Sequence, residues 1–269
     1  MSFKTVLVHV DSSKPCRSRL QLAAAIVRGQ AGRLVGVYSS GRDLREDFAD
    51  DEDSPWLADA HRAEALFHEV SKAAGVAAEW VRPRRSDENE IVVNGRYADL
   101  VVVGEPNPDD GYTHVPAAHP ERVVLSVGRP VLLVPYIGAA EDAGKRILIA
   151  WDASTPAVRA LHDAMPLLLR AERVTLLSVN PPKLEGPYGN IGERMRDSLR
   201  QHGIEARAER TFADGGLGIA DVLLDWATDN GDDLLVMGVH PGRRFGERVI
   251  DGPARKIIEQ MTLPVLMSN

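Results

Sequence analysis

The 269-residue sequence is poor in cysteine, in aromatic residues and in positive charge. Its single cysteine, Cys16, excludes a disulfide within the chain and a cysteine cluster that could hold zinc. Lysine and arginine together number 32, against 39 aspartate and glutamate residues, so the net charge is −7. An acidic chain of this kind lacks the basic face of a general nucleic-acid binder, and we expect no nucleic-acid partner.

Long apolar runs and targeting segments are missing too. No apolar run approaches the roughly 18–20 residues that span a bilayer, so we expect no membrane partner. The first five residues, Met-Ser-Phe-Lys-Thr, lack the basic-then-apolar order of a signal peptide. With 44% hydrophobic residues, the sequence predicts a folded, cytoplasmic protein.

The common catalytic and metal-binding motifs are also absent from the sequence. Its eight histidines show no spacing typical of metal ligands, and we expect no metal site. There is no Walker A loop, no Gly-x-Ser-x-Gly elbow and no paired-carboxylate motif. We therefore assign no catalytic residue and expect at most weak ATP hydrolysis.

An internal repeat organises the chain. Four apolar segments of the first half recur in the second half, the first two at an offset of 141 residues and the last two at 134. The paired segments are 5–11 with 145–152, 34–38 with 175–179, 98–104 with 232–238, and 129–134 with 263–268. The net difference of seven residues lies in the middle of the first repeat, where we expect the acidic stretch 41–53 to form a loop. Four pairs at consistent offsets indicate a duplicated unit.

Each repeat alternates apolar strands with segments of helical spacing. The strands are continuous apolar runs, which is typical of a parallel sheet covered on both faces. The sequence thus predicts an α/β protein with two tandem Rossmann-like domains, 1–138 and 144–269, each a doubly wound, five-stranded parallel sheet. We expect the closing strands, 130–135 and 264–268, to pair, so that the domains form an intramolecular pseudo-dimer. Whether two such chains form a homodimer stays open.

A ligand crevice is expected beyond the carboxyl ends of the strands, where the strand order reverses. In the second repeat its walls would be Ala150-Trp151-Asp152 and the loop 238–252. That loop combines glycines with Arg243 and Arg244 before a helix, a combination that favours anions. The matching loop of the first repeat, 104–118, has acids and prolines instead and should not hold a nucleotide.

With these features in place, the sequence resembles a tandem member of the universal stress protein family. The resemblance is most specific in Asp-Leu-Leu-Val-Met-Gly at 233–238 and Met-Thr-Leu-Pro-Val-Leu-Met-Ser at 261–268. Nucleotide-binding members carry a Gly-x2-Gly-x9-Gly-(Ser/Thr) loop, and their adenine side would correspond to Asp152 and Val179. This chain departs from that loop at Pro241, Asp251 and Pro253.

The resemblance implies a stress-associated binding or regulatory protein whose second domain binds ATP or AMP. The candidate binding residues are Ala150, Asp152, Val179, Met237, Gly238, His240, Gly242, Arg243, Arg244 and Gly252. In an alternative interpretation these glycines only permit turns, the arginines are solvated, and the strand-ending acids cap helices. The chain would then be a nucleotide-free interaction module that binds a small apolar ligand or a protein partner.

Overall fold

The structure is a computed structural model that describes residues 2–39, 55–81, 89–106, 119–181, 190–214, 216–244, 247–250 and 252–269. These residues form two compact units, Ser2–Asp142 and Ala143–Asn269. Both units are α/β, with helices connecting parallel strands. None of the described helices combines the length and apolar character that a bilayer crossing requires.

The described part of the first unit contains five strands and four helices. In chain order these are β1 (Thr5–Val10), α1 (Cys16–Arg28), β2 (Arg33–Tyr38), α2 (Pro55–Ala74), β3 (Ala77–Val81), α3 (Asn89–Gly95), β4 (Leu100–Gly104), α4 (His119–Ser126) and β5 (Val131–Val134). The strand order is β3-β2-β1-β4-β5, and every neighbouring pair is parallel. The order therefore reverses between β1 and β4, as expected for a doubly wound sheet.

The second unit repeats this arrangement and adds a hairpin. Its elements are β6 (Arg146–Ala150), α5 (Thr155–Leu168), β7 (Arg173–Val179), α6 (Ile191–Gln201), β8 (Ala206–Thr211), α7 (Ile219–Asn230), β9 (Leu234–Gly238), β10 (Pro241–Arg244), β11 (Glu247–Ile250), α8 (Pro253–Gln260) and β12 (Val265–Ser268). The order β12-β9-β6-β7-β8 is again parallel throughout and reverses between β6 and β9.

Burial follows the position of each strand in its sheet. All residues of β4, β5 and β12 are buried, and these strands are apolar on both faces. The outer strands β3 and β8 are largely exposed and carry charged side chains. The core of each unit is therefore built on its central strands, and their carboxyl ends position the site described below.

The sheet registers test the offsets found in the sequence. Val6 pairs with Leu100 and Ile147 with Leu234, which confirms the offset of 134 for the fourth strand of each unit. The offset of 141 for the second strand is wrong by one residue. Val6 pairs with Leu34 whereas Ile147 pairs with Val174, an offset of 140, because the connection that enters β7 is one residue shorter.

The structure also corrects the expected loop at 238–252. Residues 241–244 and 247–250 form an antiparallel hairpin in which Pro241 is opposite Ile250 and Gly242 is opposite Val249. The two strands are short and rich in arginine, so the sequence has no apolar alternation to mark them. Helices α3, α4 and α6 were not predicted either. The acidic stretch 41–53, and most of the first-repeat loop 104–118, lie outside the described residues.

A carboxylate braces the amino-terminal edge of the sheet in each unit. Asp99 Oδ2 accepts hydrogen bonds from the N–H groups of Lys4 and Thr5, at 2.8 and 2.9 Å. Asp233 Oδ1 accepts from the N–H groups of Gly144 and Arg146, at 2.8 and 3.0 Å. Each acid lies just before the fourth strand of its unit and holds the residue that begins the first, so the Asp-Leu pair of the repeat is structural.

Candidate functional site

A cavity of about 320 Å³ lies in the second unit at the carboxyl ends of β6, β7 and β9. This is the side of the sheet on which ligands bind in open α/β proteins, at the point where the strand order reverses. Its walls are Ala150, Trp151, Asp152, Ser154, Ala157, Leu177, Val179, Ile219, Leu223, Met237, Gly238, His240, Pro253 and Ala254. Most of these residues are apolar, and the volume is at the small end of the range for ligand pockets.

Trp151 forms a fixed wall just beyond the end of β6. Its indole Nε1 donates a hydrogen bond to the carbonyl of Ile191 at 3.0 Å, and its backbone N–H donates to Leu177 at 2.9 Å. The hydroxyl of Ser178 donates to the Trp151 carbonyl at 2.8 Å. With only 4% of its surface exposed, the tryptophan joins β6, β7 and α6 into one rigid side of the cavity.

Asp152 supplies a carboxylate at the mouth of the cavity. Its Oδ1 accepts a hydrogen bond from the Ser154 N–H at 2.9 Å, within the turn between β6 and α5. Ser154 is the N-cap of α5, and its side chain accepts from the Ala157 N–H at 3.3 Å. The described hydrogen bonds of Asp152 use Oδ1 alone, so Oδ2 is available to a ligand.

Gly238 allows two elements to meet at the floor of the cavity. A Cβ atom at this position would lie 2.3 Å from the backbone nitrogen of Ala157 and from the carbonyl carbon of Pro156. Only glycine permits this approach, because a backbone atom cannot move aside as a flexible side chain can. The first turn of α5 is thereby held against the end of β9.

The amino terminus of α8 closes another side of the cavity. Its N-cap is Gly252, with φ of +67°, a residue that has no side chain to cap the helix. Pro253 and Ala254 begin the helix and line the cavity. The uncapped N–H groups of a first helical turn, together with the helix dipole, favour a negatively charged ligand group at this end.

An ion pair fixes α7 relative to α8 beside the cavity. Asp221 accepts hydrogen bonds from the Gly218 N–H at 2.8 Å and from the Lys256 ammonium group at 2.7 Å. These contacts, chiefly the one with Lys256, lower the pKa of Asp221. The carboxylate therefore caps α7 and joins it to α8, the two helices that contribute Ile219 and Ala254 to the cavity walls.

Six of the ten candidate residues line this cavity. They are Ala150, Asp152, Val179, Met237, Gly238 and His240. Gly242, Arg243 and Arg244 lie on β10, and Gly252 is the residue before Pro253. The side chains of Arg243 and Arg244 lie outside the described part of the structure.

Several cavity residues were not among the candidates. They are Trp151, Ser154 and Ala157 at the turn into α5, Leu177 of β7, Ile219 and Leu223 of α7, and Pro253 and Ala254 of α8. Ile219 and Leu223 are four residues apart and so share a helix face, a signal that was present in the sequence. Nothing local in the sequence shows that this face covers the end of the sheet.

The corresponding strand end of the first unit carries a buried ionic cluster. The Arg19 guanidinium lies 2.9 Å from Asp11 Oδ2, and its Nε donates a hydrogen bond to the His9 carbonyl at 2.9 Å. Burial acts to raise the pKa of Asp11, but the nearby cation and the Ser13 hydrogen bonds outweigh it and hold that pKa well below its usual range. In the described part of the chain, no group of three or more His, Cys, Asp or Glu side chains is arranged to hold a metal ion.

Comparison with known proteins agrees with this geometry. The fold and the crevice at the strand-order reversal define a Rossmann-like α/β protein. Residues 144–269 match the universal stress protein family. The second unit is therefore a universal stress protein domain, and the resemblance recognised from the sequence is confirmed for this unit.

Solved structures extend the similarity of fold to the whole chain. A universal stress protein from Archaeoglobus fulgidus DSM 4304 is 16% identical, with a TM-score of 0.75 over 100% of this chain and 99% of the other. A functionally unknown protein from Pseudomonas aeruginosa PAO1 is 16% identical, with a TM-score of 0.57 over 99% of this chain and 92% of the other. At this level of identity the similarity concerns the fold. No curated protein matches the sequence.

Proposed function

We propose that the second unit binds an adenine nucleotide, ATP or AMP, and that the chain is a stress-associated binding and regulatory protein. The observation that carries this proposal is the position of the cavity. It lies at the strand-order reversal, and the uncapped amino terminus of α8 forms one of its walls.

The walls divide into parts that suit the parts of a nucleotide. The apolar side, with Leu177, Val179 and Met237, offers a slot for a flat base. The start of α8 at Pro253, preceded by Gly252, offers positive potential and close backbone approach to phosphate. In this proposal the base lies against the ends of β7 and β9, and the phosphates lie toward α8.

A charge placed at the cavity rim tests the proposal. Ile219 lines the cavity, is 37% exposed and begins α7, where an acid is compatible with the helix dipole. Ile219→Glu should therefore fold normally, and the new charge should weaken ATP binding at least about tenfold by repelling phosphate. Isothermal titration of wild type and variant with ATP and with AMP measures the loss.

Leu217→Glu is the matched control for this experiment. Leu217 lies two residues earlier, is 52% exposed and is not part of the cavity wall. The control adds the same charge to the same region and should bind nucleotide almost as wild type does. Absence of any binding heat with wild-type protein, or equal losses in the two variants, would contradict the proposal.

The second candidate function is binding of a small apolar ligand or a protein partner without nucleotide. The observation that favours it is the wall composition, in which Asp152, Ser154 and His240 are the polar side chains. Mass spectrometry of gently purified protein separates the two functions. A co-purified apolar molecule would support this second function, whereas co-purified adenine nucleotide would support the first.

A further inference from the structure

Arg19 is a buried arginine whose charge is paired inside the first unit. Its side chain is 2% exposed and lies between α1 and the end of β1. Asp11 pairs with the guanidinium, the His9 carbonyl accepts from Nε, and the Cys16 thiol lies close enough to the guanidinium to interact with its charge. A buried arginine is rare, because burial removes the water around its charge. The contacts inside the protein must then offset the free energy lost with that hydration.

The surroundings of Arg19 correspond to the ligand cavity of the second unit. A Cβ atom at Gly104 would lie only 1.8 Å from Arg19 Nη1, so the guanidinium also packs against the end of β4. At the offsets of the repeat, four described residues around Arg19 have counterparts that all line the cavity. Those pairs are His9 with Ala150, Asp11 with Asp152, Cys16 with Ala157, and Gly104 with Gly238.

The first helix of each unit, α1 or α5, buries residues at equivalent positions. Cys16, Leu20 and Ala23 are buried on α1, and so are their counterparts on α5, each 141 residues later. By this alignment the counterpart of Arg19 is Ala160, which is also buried. A long cationic side chain in the first unit is thus replaced by a methyl group in the second.

We propose that Arg19 is a built-in occupant of the first unit. Its guanidinium lies against Asp11 and the end of β4, and it closes the first crevice at positions whose counterparts line the cavity of the second unit, so the chain binds one ligand. That number rests on the proposed function, whereas the closing of the first crevice does not. A ligand would have to displace Arg19 and leave the buried Asp11 carboxylate uncompensated, which is strongly unfavourable.

Accessibility of the Cys16 thiol tests whether Arg19 closes the crevice. Cys16 is fully buried, it contacts Arg19, and it is the single cysteine of the sequence. Arg19→Ala should open a path to the thiol and raise its rate of alkylation by iodoacetamide at least about tenfold, read by mass spectrometry on protein that circular dichroism shows to be folded. Ethylguanidinium, which resembles the missing side chain, should restore protection and raise the Tm of the variant.

Arg17→Ala is the matched control. Arg17 lies on the same helix, but its guanidinium is exposed and pairs with Glu69 at 2.9 Å. This variant should keep the thiol protected, and ethylguanidinium at about 50 mM should slightly lower its Tm, as a weak denaturant does. The proposal would be overturned if the thiol of folded Arg19→Ala protein were as protected as in wild type. It would also be overturned if the thiol stayed reactive after ethylguanidinium was added.

A second variant keeps the test decisive if the unpaired Asp11 prevents folding. Arg19→Ala/Asp11→Asn removes both buried charges and should fold with a reactive thiol. Protection equal to wild type in this folded variant would overturn the proposal. Titration of wild-type chain with ATP should give one equivalent bound, and two equivalents would also overturn it. If no nucleotide binds, the proposed function fails while the thiol assay still decides the role of Arg19.

Discussion

Glu105 is a carboxyl group whose charge changes near neutral pH. It follows β4 in the first unit, is half-buried, and accepts a hydrogen bond from the Tyr136 N–H at 3.2 Å. Burial raises its pKa to about 7, and the hydrogen bond offsets this only in part. At the offset of 134 its counterpart is the buried Val239, so the second unit has no titrating group at this position.

The raised pKa of Glu105 makes the stability of the protein pH-dependent. Between pH 4.5 and 7 the folded protein holds a proton that the unfolded chain has lost, so the free energy of unfolding decreases as pH rises through this window. Glu105→Gln should remove that decrease and be more stable than wild type at pH 8 by about 1 kcal/mol, allowing for solvent screening of a half-exposed group. Urea unfolding at pH 5 and pH 8 measures the effect, and Glu209→Gln, an exposed glutamate on β8, is the control. Parallel pH profiles for Glu105→Gln and wild type would contradict this expectation.

At the scale of elements, the contact between β9 and α5 determines the shape of the site. The backbone of Pro156 and Ala157 lies directly over Gly238, and Ser154 caps the same helix end. In the first unit the corresponding space beside Gly104 is taken by the Arg19 side chain. The two units therefore share their elements and differ in how the first helix meets the fourth strand.

Gly238→Ala should destabilise the second unit. The added methyl group would collide with backbone atoms at 2.3 Å, and strand and helix would have to separate, at a cost of about 1–3 kcal/mol. Equilibrium unfolding in urea measures the loss. Ala157→Gly, which removes a methyl group at the same contact instead of adding one, should not restore the double variant, because the obstacle is backbone. Full recovery in the double variant would contradict this account.

The sequence predicts buried strands well where the repeat provides two copies. β1, β4 and β9 are apolar runs followed by a polar or glycine residue, and the offsets of the repeat reinforce each of them. The hairpin β10–β11 has no counterpart among the described residues and no apolar alternation, and for this reason it was missed. The local sequence pattern therefore predicts buried strands but does not predict short, charged strands.

The site was only partly predictable for a different reason. Asp152 and Gly238 follow strands, so topology alone places them at the carboxyl edge of the sheet. Leu223 and Ile219 reach the cavity because α7 packs there, and Arg19 is buried because Asp11 lies opposite it. Such assignments depend on contacts between residues distant in the chain, which one sequence without its fold does not specify.

At the scale of the whole molecule, duplication has preserved the framework and changed the binding edge. Asp99 and Asp233 brace the amino-terminal edge of their sheets in the same way. At the opposite edge, Asp11 is neutralised by Arg19, whereas Asp152 is exposed beside a cavity. One unit is thus closed by its own side chain, and the other presents an open crevice.

Nucleotide should protect one unit and leave the other unchanged. Bound ATP at about 100 times its Kd stabilises the unit that holds it by about 2.7 kcal/mol. Hydrogen exchange measured by mass spectrometry should slow in β6, β7, β9 and α8 and stay constant in β1, β2 and β4. The Ile219→Glu variant should show little protection in any of these segments. Equal slowing in both units of wild type would be inconsistent with a single site in the second unit.

The repeated aspartate brace also matters for protein engineering. Asp99 and Asp233 hold the equivalent amides of Thr5 and Arg146, which begin β1 and β6, so the strand and helix that follow form comparable cassettes, 5–28 and 146–168. Hybrid chains that exchange these cassettes keep the brace, because Asp99 and Asp233 lie outside them. The exchange transfers only the first strand and the first helix of each unit. Such an exchange would move Arg19 together with its partner Asp11 into the second half, while the cavity walls on β7, α7, β9 and α8 stay in place.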